Sequence, residues 1–202
     1  FVKRHESLAA SLIGVSGCMY AVRRSAYRPM YPEACSDFLI ATVMHRQGLR
    51  TIFEPTAVCT EETNSTTEKE LKMRVRVIAQ TLSDIWRNRD ILNPFRSGFF
   101  GFAVLSHKLA RYLVPLFLIA AYIANMILAL RSTGYAVLFF GQTAFWVVAI
   151  AGLLIQLRSA VLRPFAYPSY FALANLASLL GIYKFLRGDT FYVWEPFRDA
   201  PN

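Results

Sequence analysis

A carboxylate, two closely spaced arginine pairs and a glycine-bearing turn are the groups whose types and spacing could do chemistry. Asp37 follows Ser36 at the head of a run, 38–47, with apolar residues at 40, 43 and 44 and Gly48 just after it. That is the pattern of a short helix with a glycine stop. Two readings of the Ser36-Asp37 pair stand side by side. The hydroxyl can cap the helix by accepting N–H bonds while the carboxylate complements the dipole. Alternatively, Asp37 is a general base: a sugar hydroxyl is a poor nucleophile, and a carboxylate within hydrogen-bond reach speeds its attack. Upstream, Gly14, Ser16, Gly17 and Cys18 form a turn sequence that ends in Arg23-Arg24. Glycine supplies backbone freedom in any tight turn, so this segment is either a plain turn or one shaped for a ligand. Arg74 and Arg76 sit where a solvated helix face would be, or where guanidinium groups could neutralise a departing diphosphate.

The elements that must position these groups read as α/β over the first third of the chain. Segments 11–16 and 19–22 are apolar around Gly14 and Gly17, and 50–55 and 57–60 are rich in β-branched and apolar residues. All four are expected as strands. A long helix follows, with Thr67 and Glu70 as a capping box. Leu71, Val75, Ile78, Leu82 and Ile85 give it one apolar stripe, with Lys69, Lys72 and Arg76 on another face. Asn93-Pro94 closes this part, and 95–111 has the composition of an amphipathic helix lying in a membrane interface.

Charge distribution decides the rest. The chain has 202 residues, 55% hydrophobic and 17% charged, with a net charge of +9. Between Arg111 and Lys184 the only ionisable acids or bases of the Asp, Glu, Lys and Arg kind are Arg131, Arg158 and Arg163. Excluding ions over such a length is what hydrocarbon demands. Segments 112–130, 135–157 and 165–183 each have about the twenty residues needed to cross it. Residues 184–202 are a polar tail. The basic excess shows no dense tract with interleaved aromatics, so it fits anionic headgroups and a phosphate-bearing substrate, and no nucleic-acid partner is expected. Cys18, Cys35 and Cys59 form no CxxC pair, which argues against a zinc site and fits a reducing compartment. His107, Lys108 and Arg111 before the first apolar segment place the preceding residues on the cytoplasmic side. The opening Phe-Val-Lys-Arg leads us to expect that further sequence precedes Phe1.

Taken in order, the glycine turn with Arg23-Arg24, the acidic helix start, Gly48 to Arg50 through Glu54-Pro55, the arginine-bearing helix and the apolar segments resemble the C-terminal half of the membrane-bound family 2 glycosyltransferases, which include cellulose, hyaluronan, chitin and poly-N-acetylglucosamine synthases. The resemblance implies an α/β fold, a partial GT-A-like nucleotide-diphospho-sugar transferase domain over 1–94. An interfacial helix over 95–111 and a three-helix transmembrane region over 112–183 would follow. By that resemblance Asp37 is the catalytic base, Ser16, Gly17 and Cys18 belong to the acceptor-side turn, and Arg74 and Arg76 bind substrate. The Gln-x-x-Arg-Trp helix motif of the family falls on 73–77, where only Arg76 matches. The resemblance also implies a nucleotide sugar donor, a glycan or lipid-linked acceptor, contact with membrane lipids and further export subunits. A divalent metal, Mg or Mn, is expected, its Asp-x-Asp ligands lying outside this chain; Glu61-Glu62 is not in the matching place. The implied function is inverting transfer of a sugar onto a growing polysaccharide at the cytoplasmic face of a cell inner membrane. The alternatives are transfer of one sugar to a polyprenyl phosphate, and a scaffold subunit without catalysis.

Overall fold

A computed structural model describes residues 2–60, 66–155 and 163–191. The elements are α1 (Val2–Ala9), α2 (Ser36–Arg46), α3 (Thr67–Arg87), a 3-10 turn (Arg89–Leu92), α4 (Pro94–Val104), a π-helical stretch (Leu105–Ala110), α5 (Arg111–Ala129), α6 (Thr133–Ile155) and α7 (Arg163–Arg187).

The expected α/β architecture is overturned, and with it the partial GT-A-like domain over 1–94. The described residues contain helices and no strand or sheet. Segments 11–16, 19–22, 50–55 and 57–60 are extended or turning but do not pair into a ladder. Their main-chain donors find other partners. Leu12 N–H reaches Thr51 O at 2.9 Å, but Val15 N–H donates to Asp37 O at 2.8 Å. Thr51 N–H and Phe53 N–H go to the Ser11 and Ser7 hydroxyls, each at 2.9 Å. β-branched residues favour extended backbone, but a strand exists only when a neighbour repeats the exchange of N–H and C=O. Here serines and the start of a helix take those bonds. The N-terminal helix α1 (Val2–Ala9) was not among the expected elements. Two arginine bonds fix it: Arg50 donates to the carbonyls of Ser7 and Ala10 at its C-terminal end, both at 2.7 Å, where a cation complements the dipole.

Two caps differ in register from expectation. Helix α2 begins at Ser36, so Cys35 holds the cap position, and no side chain caps it. Gly48 closes the helix with φ of 70°, a left-handed value open to glycine, and Leu49 N–H bonds back to Met44 O at 3.0 Å. At α3 the cap is Thr66, one residue before the expected Thr67; its hydroxyl accepts from Lys69 N–H at 3.3 Å. Glu70 is therefore released from a capping box and pairs with Arg74 at 2.6 Å.

Helix α3 is the shared wall of two cores. Ile85, with Val77, packs into a cluster formed by Ile13, Cys35, Phe38, Ile91, Phe100 and Val104. One face around, Val75, Ile78 and Leu82 pack with Tyr112 of α5 and Ala177 of α7, joined by Leu71 and Phe185. Contacts along the pair rise together in number, from Arg74 with Tyr170 to Trp86 with Phe185, so α3 and α7 run in the same direction.

Three helices are long and apolar enough to cross a membrane: 94–129, 133–154 and 166–187. The first takes in the region expected as a separate interfacial helix. Helix α4 passes through the π-helical stretch straight into α5, with a break at Gly98 (φ 53°, ψ −136°). Phe100, Gly101, Ala103 and Val104 face the core, while Phe95, Phe99 and Phe102 stand exposed. Polar groups in the α5–α6 hairpin are paired internally, as hydrocarbon requires. Tyr122 and Thr143 hydroxyls lie 3.0 Å apart, and Asn125 donates to Gln142 Oε1 at 3.0 Å.

Candidate functional site

The glycine turn and the head of α2 are brought together. Val15 N–H on Asp37 O holds the turn against the first turn of the helix. The two glycines lie against that helix start. A Cβ on Gly14 would lie 3.4 Å from Asp37 O and 3.8 Å from Lys108 Nζ, and one on Gly17 would lie 3.8 Å from Asp37 Oδ2. The two carboxylate oxygens are thereby distinguished. Oδ1 accepts the Cys35 thiol at 2.9 Å, and Oδ2 is turned toward Gly17. Ser16 Oγ and Cys18 Sγ are 3.0 Å apart. Both residues line a cavity of about 1090 Å³ whose wall also includes Arg23, Ile40, Met44 and Phe53. That volume would accommodate a sugar-sized ligand.

The expected arginines are placed elsewhere. Arg74 donates to Glu70 at 2.6 Å and to the Tyr170 hydroxyl, and its guanidinium lies 4.8 Å from the centre of the Tyr170 ring. It clamps α3 to α7. Arg76 is half-buried on α3, and neither arginine belongs to the cavity wall. The cations on the cavity wall are Lys3, Arg23 and Arg50; Lys108, like Asp37, is not on that wall but lies beside the turn. Its Nζ, carried by the π-helical stretch, lies by Gly14 and 5.6 Å from the centre of the Phe38 ring. The sequence offered Lys108 only as a marker of membrane orientation.

Behind Asp37 lies a polar group that sequence reasoning missed. Asp84 is fully buried. Its Oδ2 accepts Cys35 N–H at 2.8 Å, and its Oδ1 accepts the Tyr31 hydroxyl. Thr81 Oγ1 donates to Cys35 Sγ at 3.5 Å, and Asn88 donates to Asp84 O at 2.8 Å. A signal was present: Val77, Thr81, Asp84 and Asn88 follow steps of four and three, a second stripe beside the apolar one. Arg87, nearest in sequence, pairs instead with Glu33 at 2.6 Å and lies 4.5 Å from the centre of the Tyr31 ring.

Burial governs the titration of these groups. It pushes the Cys35 thiol up to about 12, helped by the negative charge of Asp37 beside it, so Cys35 is a donor at neutral pH and not a thiolate nucleophile. Tyr31 is raised by burial and by donating to Asp84. Burial likewise raises Asp84 to about 6, against the downward pull of the Tyr31 and Cys35 donors and of Arg87. A folded pKa above the unfolded value means that the folded chain holds the proton more tightly. The stabilisation is complete below the unfolded value and is lost as pH rises through about 6. Relative to Asp84→Asn, the native protein is expected to lose roughly 2 kcal/mol of stability between about pH 4 and pH 7. His45, whose pKa burial lowers, acts with the opposite sign but is common to both proteins and cancels in the difference. Unfolding in detergent across that range measures it; the same pH dependence in both proteins would contradict it.

Among the described residues no three His, Cys, Asp or Glu side chains converge as metal ligands. Glu61 and Glu62 lie outside the described residues. No family model, curated protein or solved structure matches the chain.

Proposed function

We propose that this chain is the acceptor-side and membrane-anchoring part of an inverting glycosyltransferase, with Asp37 as its general base. The observation that carries the reading is the division of labour in the Asp37 carboxylate. One oxygen is held by Cys35, and the other is turned to the Gly17 turn beside a sugar-sized cavity. The acceptor hydroxyl would enter at that turn and give its proton to Oδ2 as its oxygen attacks the anomeric carbon. The bond from that carbon to the diphosphate breaks, and the nucleoside diphosphate departs with the electron pair. Positive charge beside the turn favours that departure. Lys108, beside Gly14, supplies it. The membrane in this reading is the cell inner membrane, with the residues before the first span on the cytoplasmic side, in keeping with His107, Lys108 and Arg111 in the N-terminal half of helix 94–129. The growing polysaccharide is the preferred acceptor. Transfer to a polyprenyl phosphate is the second reading, favoured by the exposed Phe95, Phe99 and Phe102 on α4, which would hold a lipid acceptor near the site.

The test uses membranes containing the full-length protein and a panel of radiolabelled uridine-diphosphate sugars. Label is expected in polymer, whereas label confined to a lipid-extractable monosaccharide would select the second reading. Asp37→Asn is expected to lower transfer by at least about a hundredfold while donor binding persists. Native-level turnover in that variant, or no transfer by the native protein beyond that of control membranes, would overturn the proposal.

A further inference from the structure

A general base works only if its lone pair is held at the attacking hydroxyl, and an aspartate side chain has two torsions to fix. What fixes Asp37 is not an ion pair. It is a relay of hydrogen bonds running from α3 through a cysteine. We propose that Cys35 and Asp84 are positioning residues that hold the Asp37 carboxylate with Oδ2 directed at the acceptor turn; this rests on the reading of Asp37 as the base.

Three observations carry it. First, the Cys35 thiol donates to Oδ1 at 2.9 Å, leaving only Oδ2 toward Gly17. The thiol is itself oriented from behind by Thr81 Oγ1 at 3.5 Å. Second, Cys35 occupies the cap position of α2 without making a side-chain cap bond of its own. Its side chain is thus spent on Asp37 two residues on, and its main chain is anchored by Asp84 Oδ2 at 2.8 Å. Third, Asp84 has a chemistry that packing alone does not require. A fully buried carboxylate is costly, and the hydrogen bonds it accepts come from the Tyr31 hydroxyl, a main-chain N–H and no lysine or arginine. Two acceptor oxygens for two converging donors is a match that asparagine, with one oxygen and an NH₂, cannot reproduce. Thr81 and Asp84 stand one turn apart on α3, so one rigid helix face sets both bonds to Cys35.

The groups were concealed in the sequence by type. Cys35 reads as a small buried apolar residue and Asp84 as a surface charge on an amphipathic helix. Only the fold shows that they meet.

Cys35→Ala removes the thiol donor but keeps the main-chain N–H that Asp84 accepts. It is expected to lower kcat by roughly ten- to a hundredfold with little change in KM for the nucleotide sugar, because a displaced base impairs the reaction and not donor binding. Cys35→Ser, whose hydroxyl can still donate to Oδ1, should recover most of the loss. Asp84→Asn should lower kcat in the same way, and combining it with Cys35→Ala should add little, since both act along one route. Each variant is measured in the same membranes as Asp37→Asn, with its melting temperature alongside. Native kcat in folded Cys35→Ala, or Cys35→Ser no better than Cys35→Ala, would overturn the positioning role while an inactive Asp37→Asn left the base assignment intact. An active Asp37→Asn would overturn the base assignment itself.

Discussion

Gly101→Ala is expected to destabilise the protein by about 3 kcal/mol or more, although alanine is the better helix former. Gly101 lies in α4 where it crosses the 3-10 turn. A Cβ there would come 2.4 Å from Ile91 O and 3.2 Å from Ser97 Cβ. The first obstacle is main chain in a turn whose Ile91 side chain is fully buried in the core, so it cannot swing aside. The propensity gain of about 1 kcal/mol is outweighed by overpacking at the upper end of its range. Gly141 in α6 provides the control, because a Cβ there meets nothing within 4 Å; Gly141→Ala should leave the melting temperature unchanged or slightly raised. Thermal unfolding in detergent compares the two, and a native melting temperature for Gly101→Ala would contradict the packing described for α4.

The second large effect is expected at Gly181, where α7 meets α3. A Cβ at this position would lie 2.6 Å from Ile78 Cγ2, 2.8 Å from Ile78 Cβ and 3.3 Å from Val75 O. Helix approach this close needs a residue without a side chain, as small residues provide between membrane helices. Gly181→Leu must push α3 away from α7, and a loss of about 3 kcal/mol or more is expected. Ile78→Ala in the same molecule should relieve it partly, since Cγ2 is then gone but Cβ remains. Protease sensitivity of the segment around α3 should rise with the substitution. Because Thr81 and Asp84 sit on that helix, the sugar transfer proposed for the chain should fall as well. An unaltered melting temperature and unaltered protease resistance in Gly181→Leu would show that α3 and α7 are not packed together in the membrane.

The helical parts were legible because period and length survive tertiary context. The stripe from Leu71 to Ile85 predicted α3, and the scarcity of ions between Arg111 and Lys184 marked three helices able to span a bilayer. The extended segments misled because residue preference reports backbone shape, whereas pairing depends on what lies alongside. For 50–53 those neighbours are the hydroxyls of Ser7 and Ser11 and the carbonyl of α1 residues bound by Arg50. The candidate site was half visible. Asp37 and the 16–18 turn drew attention by type and order, and the fold sets them together. Arg74 drew attention by the same reasoning, yet its charge is used between helices. Cys35, Asp84 and Lys108 stayed hidden because their roles arise from neighbours distant in the chain: Asp84 meets Cys35 at a separation of 49 and Tyr31 at 53, and Lys108 lies over the Phe38 ring.

The double-faced position of α3 also bears on how the molecule comes apart. Its Val75, Ile78 and Leu82 are covered by α7, while Ile85 completes the core around Phe38. The two halves accordingly share one melting unit, since neither can shed the helix without uncovering oily surface on the other. A ribosome must also finish α7 before α3 is covered on both faces, so during synthesis the aspartate of α2 waits for its foundation on a helix made long after it.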